Sequence, residues 1–235
     1  MNFKYKLKAF LKEVDYKFGI RTWFSTEPNV ILEDNSFLQG EKELDYGWVA
    51  SHVGHGPGLA LDVGCVKSPI SSILVSMGYK VIGVDLRADI PYKLNGFSLI
   101  QGDFNRVDLP SEYFDIVVLC STVEHIGLAG RYDNPDIADG DLMAMEKVHN
   151  ILNPNGKCIL TIPVGMDGVF SPWHRIYGRE RMPKLMSGFT VIENRYFVKR
   201  ALNLWCETDE DTALSYQGSA TRYALGQYVL ANKSG

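Results

Sequence analysis

The feature that most constrains this chain is a repeated alternation of short apolar runs and helical stretches across residues 59–164. Residues 59–63 form a short apolar run typical of a strand buried on both faces. Residues 69–77 read as a helix, with Ser68 as its N-cap, Pro69 in the first helical position and Gly78 at its end. Residues 80–84, 97–101 and 114–120 supply three further strands. Residues 141–152 place Leu142, Met145, Val148 and Leu152 on one side of a helix. A turn, Asn153-Pro154-Asn155-Gly156, leads into a fifth strand at residues 157–164. Such alternation predicts an α/β fold, a doubly wound, mostly parallel sheet with helices on both faces. Two more extended runs follow, residues 190–199 and 223–231, with no clear crossover helix between them.

The remaining composition narrows the classes. Apolar residues make up 46% of the chain and charged residues 22%, which excludes wholesale disorder and a collagen-like repeat. The net charge of −4 argues against general nucleic-acid binding, which needs a basic surface. Cys65, Cys120, Cys158 and Cys206 are far apart, and the first three lie in or beside apolar runs. They read as reduced thiols, not disulfides or zinc ligands. No stretch is apolar enough to span a membrane, and the N-terminus lacks a signal-peptide core, so a cytoplasmic location is expected.

Residues 1–21 differ from the rest. Phe3, Leu7, Phe10, Leu11, Val14 and Phe18 recur at helical spacing among lysines, giving a local charge of about +4. The segment reads as a helix that packs on or covers the main domain. The same physics would serve contact with a membrane surface or a lipid-linked substrate. Residues 22–56 show little periodicity, so the expected organisation is an N-terminal extension, residues 1–56, and one domain, residues 57–235.

Open α/β sheets bind ligands at the carboxyl ends of their strands. Polar residues stand at four successive strand ends: Asp62 to Ser68, Asp85-Leu86, Asp103-Phe104, and Ser121 to His125. Gly64 allows close approach of a ligand to the backbone. The helix starting near Ser68 and Pro69 favours an anion. Asp85, 23 residues after Asp62, is near the spacing at which an acid reaches ribose hydroxyls. Asp103 can accept from an exocyclic amine, with Phe104 beside an adenine ring. Any one of these acids alone would be read as a turn or helix cap.

These residues resemble the motifs of class I S-adenosylmethionine-dependent methyltransferases. Leu61-Asp62-Val63-Gly64-Cys65 is similar to their first motif and Val81-Ile82-Gly83-Val84-Asp85 to their second. Gln101-Gly102-Asp103-Phe104 resembles the adenine-contacting motif. Phe114-Asp115-Ile116-Val117-Val118 with Val123-Glu124-His125 resembles the fourth-strand motif, and Leu152 to Lys157 the turn before strand five. The resemblance implies seven strands, the last two an antiparallel hairpin. It assigns Asp62, Gly64, Cys65, Asp85, Leu86, Asp103, Phe104 and Ser121 to S-adenosyl-L-methionine. The family usually has glycines where this chain has Val66 and Ser68, and a β-branched residue disfavours φ > 0 at position 66.

The activity this implies is methyl transfer, with O-methylation of a small hydroxylated acceptor such as a sugar or glycan as the expected reaction. A hydroxyl acceptor needs a base, and His125 and His174 are the candidates; the bland alternative for His125 is a packed ring that shapes the pocket. Arg131, Tyr132, Asp139, Arg175 and Tyr177 are the candidate acceptor contacts, because they follow strands four and five. The aspartates of residues 127–141 read as a solvated loop and helix caps, and no metal is expected. Two other readings stay open: a non-catalytic cofactor binder or scaffold on the same fold, and a nicotinamide-dependent oxidoreductase, which the absence of a full G-x-G-x-x-G disfavours.

Overall fold

In the computed structural model β1 (Gly58–Val63) lies between β2 (Tyr79–Asp85) and β4 (Phe114–Cys120), parallel to both. The structure describes residues 40–130, 136–201 and 204–232. β3 (Phe97–Gln101) pairs parallel with β2, and β5 (Leu152–Val164) pairs parallel with β4. The hairpin β6 (Gly168–Phe170) and β7 (His174–Ile176) forms a separate two-stranded sheet. β8 (Phe189–Ala201), β9 (Leu204–Thr208) and β10 (Ala224–Asn232) complete the main sheet, in the order β3-β2-β1-β4-β5-β10-β8-β9. β10 is antiparallel to both β5 and β8. The expected α/β architecture and late antiparallel pair are present. The main sheet has eight strands, because β9 adds an edge antiparallel to β8. β9 is short and only partly buried, so it carries no strong apolar signal.

Alternation along the strands sorts the core. Leu61 and Val63 of β1, with Val117 and Leu119 of β4, face one apolar cluster; Ala60, Ile116 and Val118 face another. The first cluster is closed by α3 (Gly140–Ile151) through Ala144, Met145 and Val148. The second is closed by α1 (Glu41–His52) through Trp48 and Val49, and by α2 (Ile70–Ser76) through Ile70 and Leu74. Burying both faces of β1 and β4 explains their almost unbroken apolar sequence. Two short helices, α4 (Met182–Leu185) and α5 (Glu210–Leu214), follow the hairpin and β9.

Two local readings are revised. Residues 41–52 form a helix where little periodicity is visible, and α1 belongs to the same compact unit as the sheet, Gly40–Gly235. Only one stripe of α1 is buried, Asp45, Trp48 and Val49, which is too narrow to stand out in sequence. β5 begins at Leu152 instead of 157. Its pairing with β4 jumps from Phe114–Leu152 to Ile116–Lys157, so residues 153–156 are an irregularity inside the strand. The amphipathic segment of residues 1–21 lies outside the described residues. No helix among the described residues is long and apolar enough to cross a membrane.

The parallel register brings the ends of β1, β2, β3 and β4 to one edge, with β1 and β4 leading in opposite directions across the sheet. That is the topological switch point, where an open parallel sheet leaves a crevice.

Candidate functional site

A cavity of about 360 Å³ opens at this edge. Gly64, Asp85, Leu86, Asp103, Phe104 and Ser121 line it, together with His125 and His174. Eight of the residues singled out from sequence therefore meet in one place.

The half of the cavity above β1, β2 and β3 is fixed by backbone geometry. Gly64 has φ 79° and its N–H donates to the Val84 carbonyl at 2.8 Å. A Cβ there would sit 2.5 Å from Thr122 Oγ1, so no side chain fits. Asp85 is buried, yet its carboxylate borders the cavity. Oδ2 accepts the Val66 N–H at 2.9 Å, and Oδ1 accepts the Arg87 N–H at 2.9 Å. Asp103 Oδ1 accepts the Asn105 N–H at 3.0 Å. Its Oδ2 is buried with no hydrogen-bond partner among the described residues, the nearest cation being Arg106 Nε at 3.6 Å. Phe104 is held from behind by Lys147, whose Nζ donates to the Phe104 and Val107 carbonyls. Ser68 Oγ accepts the Ile70 N–H at 3.1 Å, but the N-cap residue of α2 is Pro69, with no side-chain capping bond, so the expected cap lies one residue further along than Ser68.

Asp62 and Cys65 do not line the cavity. Asp62 is buried beneath the loop, accepting the Ser71 hydroxyl at 2.7 Å, and ties β1 to α2. Burial pushes its carboxyl up to about 7. Cys65 packs over Gly83, where a Cβ would lie 2.6 Å from its Sγ. Burial pushes this thiol up, as expected of an inert cysteine. Both residues support the loop from below.

The other half of the cavity is rich in titratable groups. Ser121 Oγ donates to Asp45 Oδ2 at 2.8 Å, and Gln227 Nε2 donates to Asp45 Oδ1 at 3.3 Å. Lys42 Nζ lies 3.7 Å from Asp45 Oδ2 and 3.6 Å from Glu41 Oε1. Burial pushes Asp45 up to about 6. Tyr223 donates to Glu41 Oε2, and its ring meets His174 edge-on at 4.9 Å. Glu124 and His125 stand on a 3-10 turn, Val123–His125, directly after β4. Glu41, Lys42, Tyr46, Glu124 and Tyr223 all line the cavity without having been singled out from sequence. For Glu124 the available signal was its place beside His125 in the strand-four motif; nothing in sequence pointed to Tyr223 or to α1.

The acceptor contacts expected after strands four and five fall elsewhere. Arg175 is 1% exposed and does not border the cavity. Its guanidinium donates to the carbonyls of Ile126 at 2.6 Å, Ile137 at 3.3 Å and Ala138 at 3.2 Å, and Nε lies 3.6 Å from Asp141. Tyr177 is buried, its hydroxyl donating to Asp141 Oδ2 at 3.0 Å. Asp139 and Asp141 are bridged by Arg181 at 3.1 and 2.6 Å. These residues lock the chain between the turn and α3 and do not border the cavity. Asp139 is the N-cap residue of α3, with no side-chain capping bond. Arg131 and Tyr132 lie outside the described residues. Among the described residues, no three His, Cys, Asp or Glu side chains are grouped to hold a metal ion.

A family profile described as "Caenorhabditis protein of unknown function, DUF268" matches residues 79–213, more than half of the chain. The chain belongs to this family. The match spans β2 to α5 and so includes Asp85, Asp103, Glu124, His125 and His174. No curated protein sequence matches the chain.

Solved structures are similar in fold. A 1,6-didemethyltoxoflavin-N1-methyltransferase from Burkholderia thailandensis, with bound 1,6-didemethyltoxoflavin and S-adenosylhomocysteine, is 14% identical with a TM-score of 0.55; the likeness covers 99% of this chain and 92% of that one. The N-methyltransferase NodS from Bradyrhizobium japonicum WM9, in complex with S-adenosylhomocysteine, is 14% identical with a TM-score of 0.56 over 91% and 96% of the two chains. The [4+2]-cyclase SpnF is 13% identical with a TM-score of 0.58 over 84% and 82%. The DUF268 chain thus has the class I, Rossmann-like methyltransferase fold. Because that fold also carries a cyclase, the chemistry has to be argued from the site.

Proposed function

We propose that the chain is an S-adenosylmethionine-dependent methyltransferase that methylates an oxygen of a small hydroxylated acceptor such as a sugar or glycan. The observation that carries this reading is the Asp85 carboxylate, pinned by two backbone N–H groups at the border of the switch-point cavity. A carboxylate so held suits a ribose diol. The neighbouring features fit the same group. The Gly64 backbone is one that a Cβ would block, and the buried Asp103 Oδ2 still lacks a donor of the kind an adenine amine provides. Phe104 supplies a flat apolar wall beside it.

The bound cofactor supplies a methyl group already activated on a sulfonium, so the protein's share is orientation and proton removal. Lys147 holds the Phe104 backbone and the Asp62–Ser71 bond holds the loop after β1. The acid- and imidazole-lined half, with Tyr223 beside it, suits an acceptor with several hydroxyls. His125 and His174 both reach this half and are candidates for the base. The exclusion of nucleic acid, a cytoplasmic location and a lipid-linked acceptor approached through residues 1–21 belong to the same reading, on charge and periodicity.

Calorimetry with S-adenosylmethionine, S-adenosylhomocysteine and NAD(H) tests the cofactor. Binding of the first two and not the third is the expected result, and the reverse sinks the proposal. Formation of S-adenosylhomocysteine with hydroxylated acceptors tests turnover. Tight binding without turnover across a broad sugar panel would favour the non-catalytic reading.

A further inference from the structure

The cavity contains a carboxylate that the cofactor contacts leave unused. Glu124 is 2% exposed and lines the cavity. Its Oε2 is buried and has no hydrogen-bond partner among the described residues. Its Oε1 lies 3.6 Å from His125 Nε2. His125 Nδ1 lies 2.6 Å from the Trp173 carbonyl oxygen. A carbonyl only accepts, so Nδ1 carries the hydrogen. In a neutral ring Nε2, the nitrogen nearer Glu124, then carries no hydrogen.

Burying an acceptor with nothing to accept from is unfavourable, and such groups recur where a ligand supplies the missing donor. The surroundings define which donor. Glu41, Lys42 and Asp45 of α1, Tyr223 before β10 and Tyr177 after β7 are close enough to act on Glu124 electrostatically, and His125 stands beside it on its own turn. Lys42 is the cation of this set, and it already stands within 3.7 Å of Asp45 and of Glu41. The acids outnumber it, so this end of the cavity favours positive charge.

Resting on the methyltransferase reading, we propose that Glu124 is a catalytic residue whose carboxylate faces the transferred group and takes the acceptor's proton. In the step, the acceptor oxygen forms the new bond to the methyl carbon. The carbon–sulfur bond breaks and its electron pair remains on sulfur. The acceptor's hydroxyl proton passes to Glu124 Oε2 and leaves later to solvent. Burial pushes Glu124 up to about 8, against the opposing influence of Lys42, which suits a base working near neutral pH.

The test needs no acceptor. Sinefungin carries an ammonium on the carbon that replaces the methylated sulfur, whereas S-adenosylhomocysteine is neutral there. Both are titrated calorimetrically from pH 6 to 9 into the wild type and Glu124→Gln. At pH 9, where Glu124 is ionised, the expected result is that Glu124→Gln weakens sinefungin by about tenfold or more and S-adenosylhomocysteine by less than about twofold. The wild-type preference for sinefungin over S-adenosylhomocysteine should rise as pH passes about 8 and be flat in Glu124→Gln. Equal losses for the two ligands, or no loss for either, overturn the assignment. If Glu124→Gln does not fold, a pH-independent wild-type preference overturns it equally. A wild type that binds neither ligand removes the methyltransferase reading itself. Binding of both without discrimination at Glu124 removes only this proposal.

Discussion

The Val66 N–H donates to Asp85 Oδ2 over 2.9 Å, joining the loop after β1 to the turn after β2. The family's usual glycine at position 66 would lead one to expect left-handed geometry there. The positive φ values fall instead on Gly64, at 79°, and Lys67, at 67°. Val66 is buried, and its β-branched side chain meets no backbone conflict. The departure from the family pattern is thus absorbed by moving the left-handed residue one position along.

Asp85→Ala should weaken S-adenosylmethionine binding by at least about tenfold, since a charge-assisted hydrogen bond contributes about 1.5–3 kcal/mol. Asp85→Asn should be almost as harmful. Both oxygens already accept backbone N–H groups, and an amide nitrogen would face one of those donors. Calorimetry on both variants checks this, and unchanged affinity in either folded variant contradicts the assignment.

Lys67→Gly should raise stability by up to about 1 kcal/mol, because glycine adopts positive φ without the steric cost a lysine bears. Val66→Gly should do the opposite, losing about 1 kcal/mol or more through a lost buried side chain and a looser backbone. Chemical denaturation of the two variants measures the pair. A stabilising Val66→Gly would show that the side chain does crowd the loop.

Asp45, Asp62 and Glu124 are pushed up to about 6, 7 and 8, in each case first by burial. Their folded values lie above their unfolded ones, so the folded state holds more protons between the two. That stabilisation is complete below about pH 4 and is lost as pH rises through 6 to 8. The ligand-free protein should therefore melt at a lower temperature at pH 8.5 than at pH 5. Asp62→Asn should flatten the decline and exceed the wild type at pH 8.5, since an amide oxygen still accepts the Ser71 hydroxyl. A melting temperature that climbs across this window would refute the buried, proton-holding state of these acids.

Arg175→Met should cost about 1–3 kcal/mol of stability, because it removes the donor to the Ile126, Ile137 and Ala138 carbonyls. Affinity for S-adenosylhomocysteine should stay within about twofold, as Arg175 does not border the cavity. Full stability combined with lost turnover would restore Arg175 as an acceptor contact.

The order of β1 to β5 and the strand-end residues Gly64, Asp85, Asp103, Phe104 and Ser121 were legible in sequence because they rest on local physics. Strands buried on both faces read as apolar runs, and a parallel sheet must present its strand ends on one edge. Which way a polar side chain turns from that edge is not local. Asp62, Cys65, Arg175 and Tyr177 follow strands in the expected manner, yet packing directs them into the interior to hold loops. The acid-rich half of the cavity depends still more on the fold. Glu41 meets Tyr223, and Asp45 meets Gln227, each across 182 positions of the chain. No periodicity or spacing encodes such a contact; it exists only once β10 is inserted between β5 and β8 and α1 closes over the sheet. The sequence by itself determined the sheet and the edge at which the cavity opens, because backbone pairing and apolar burial repeat along the chain. The tertiary structure alone decided what surrounds Glu124, because burial and charge at one point are summed over segments that are distant in sequence.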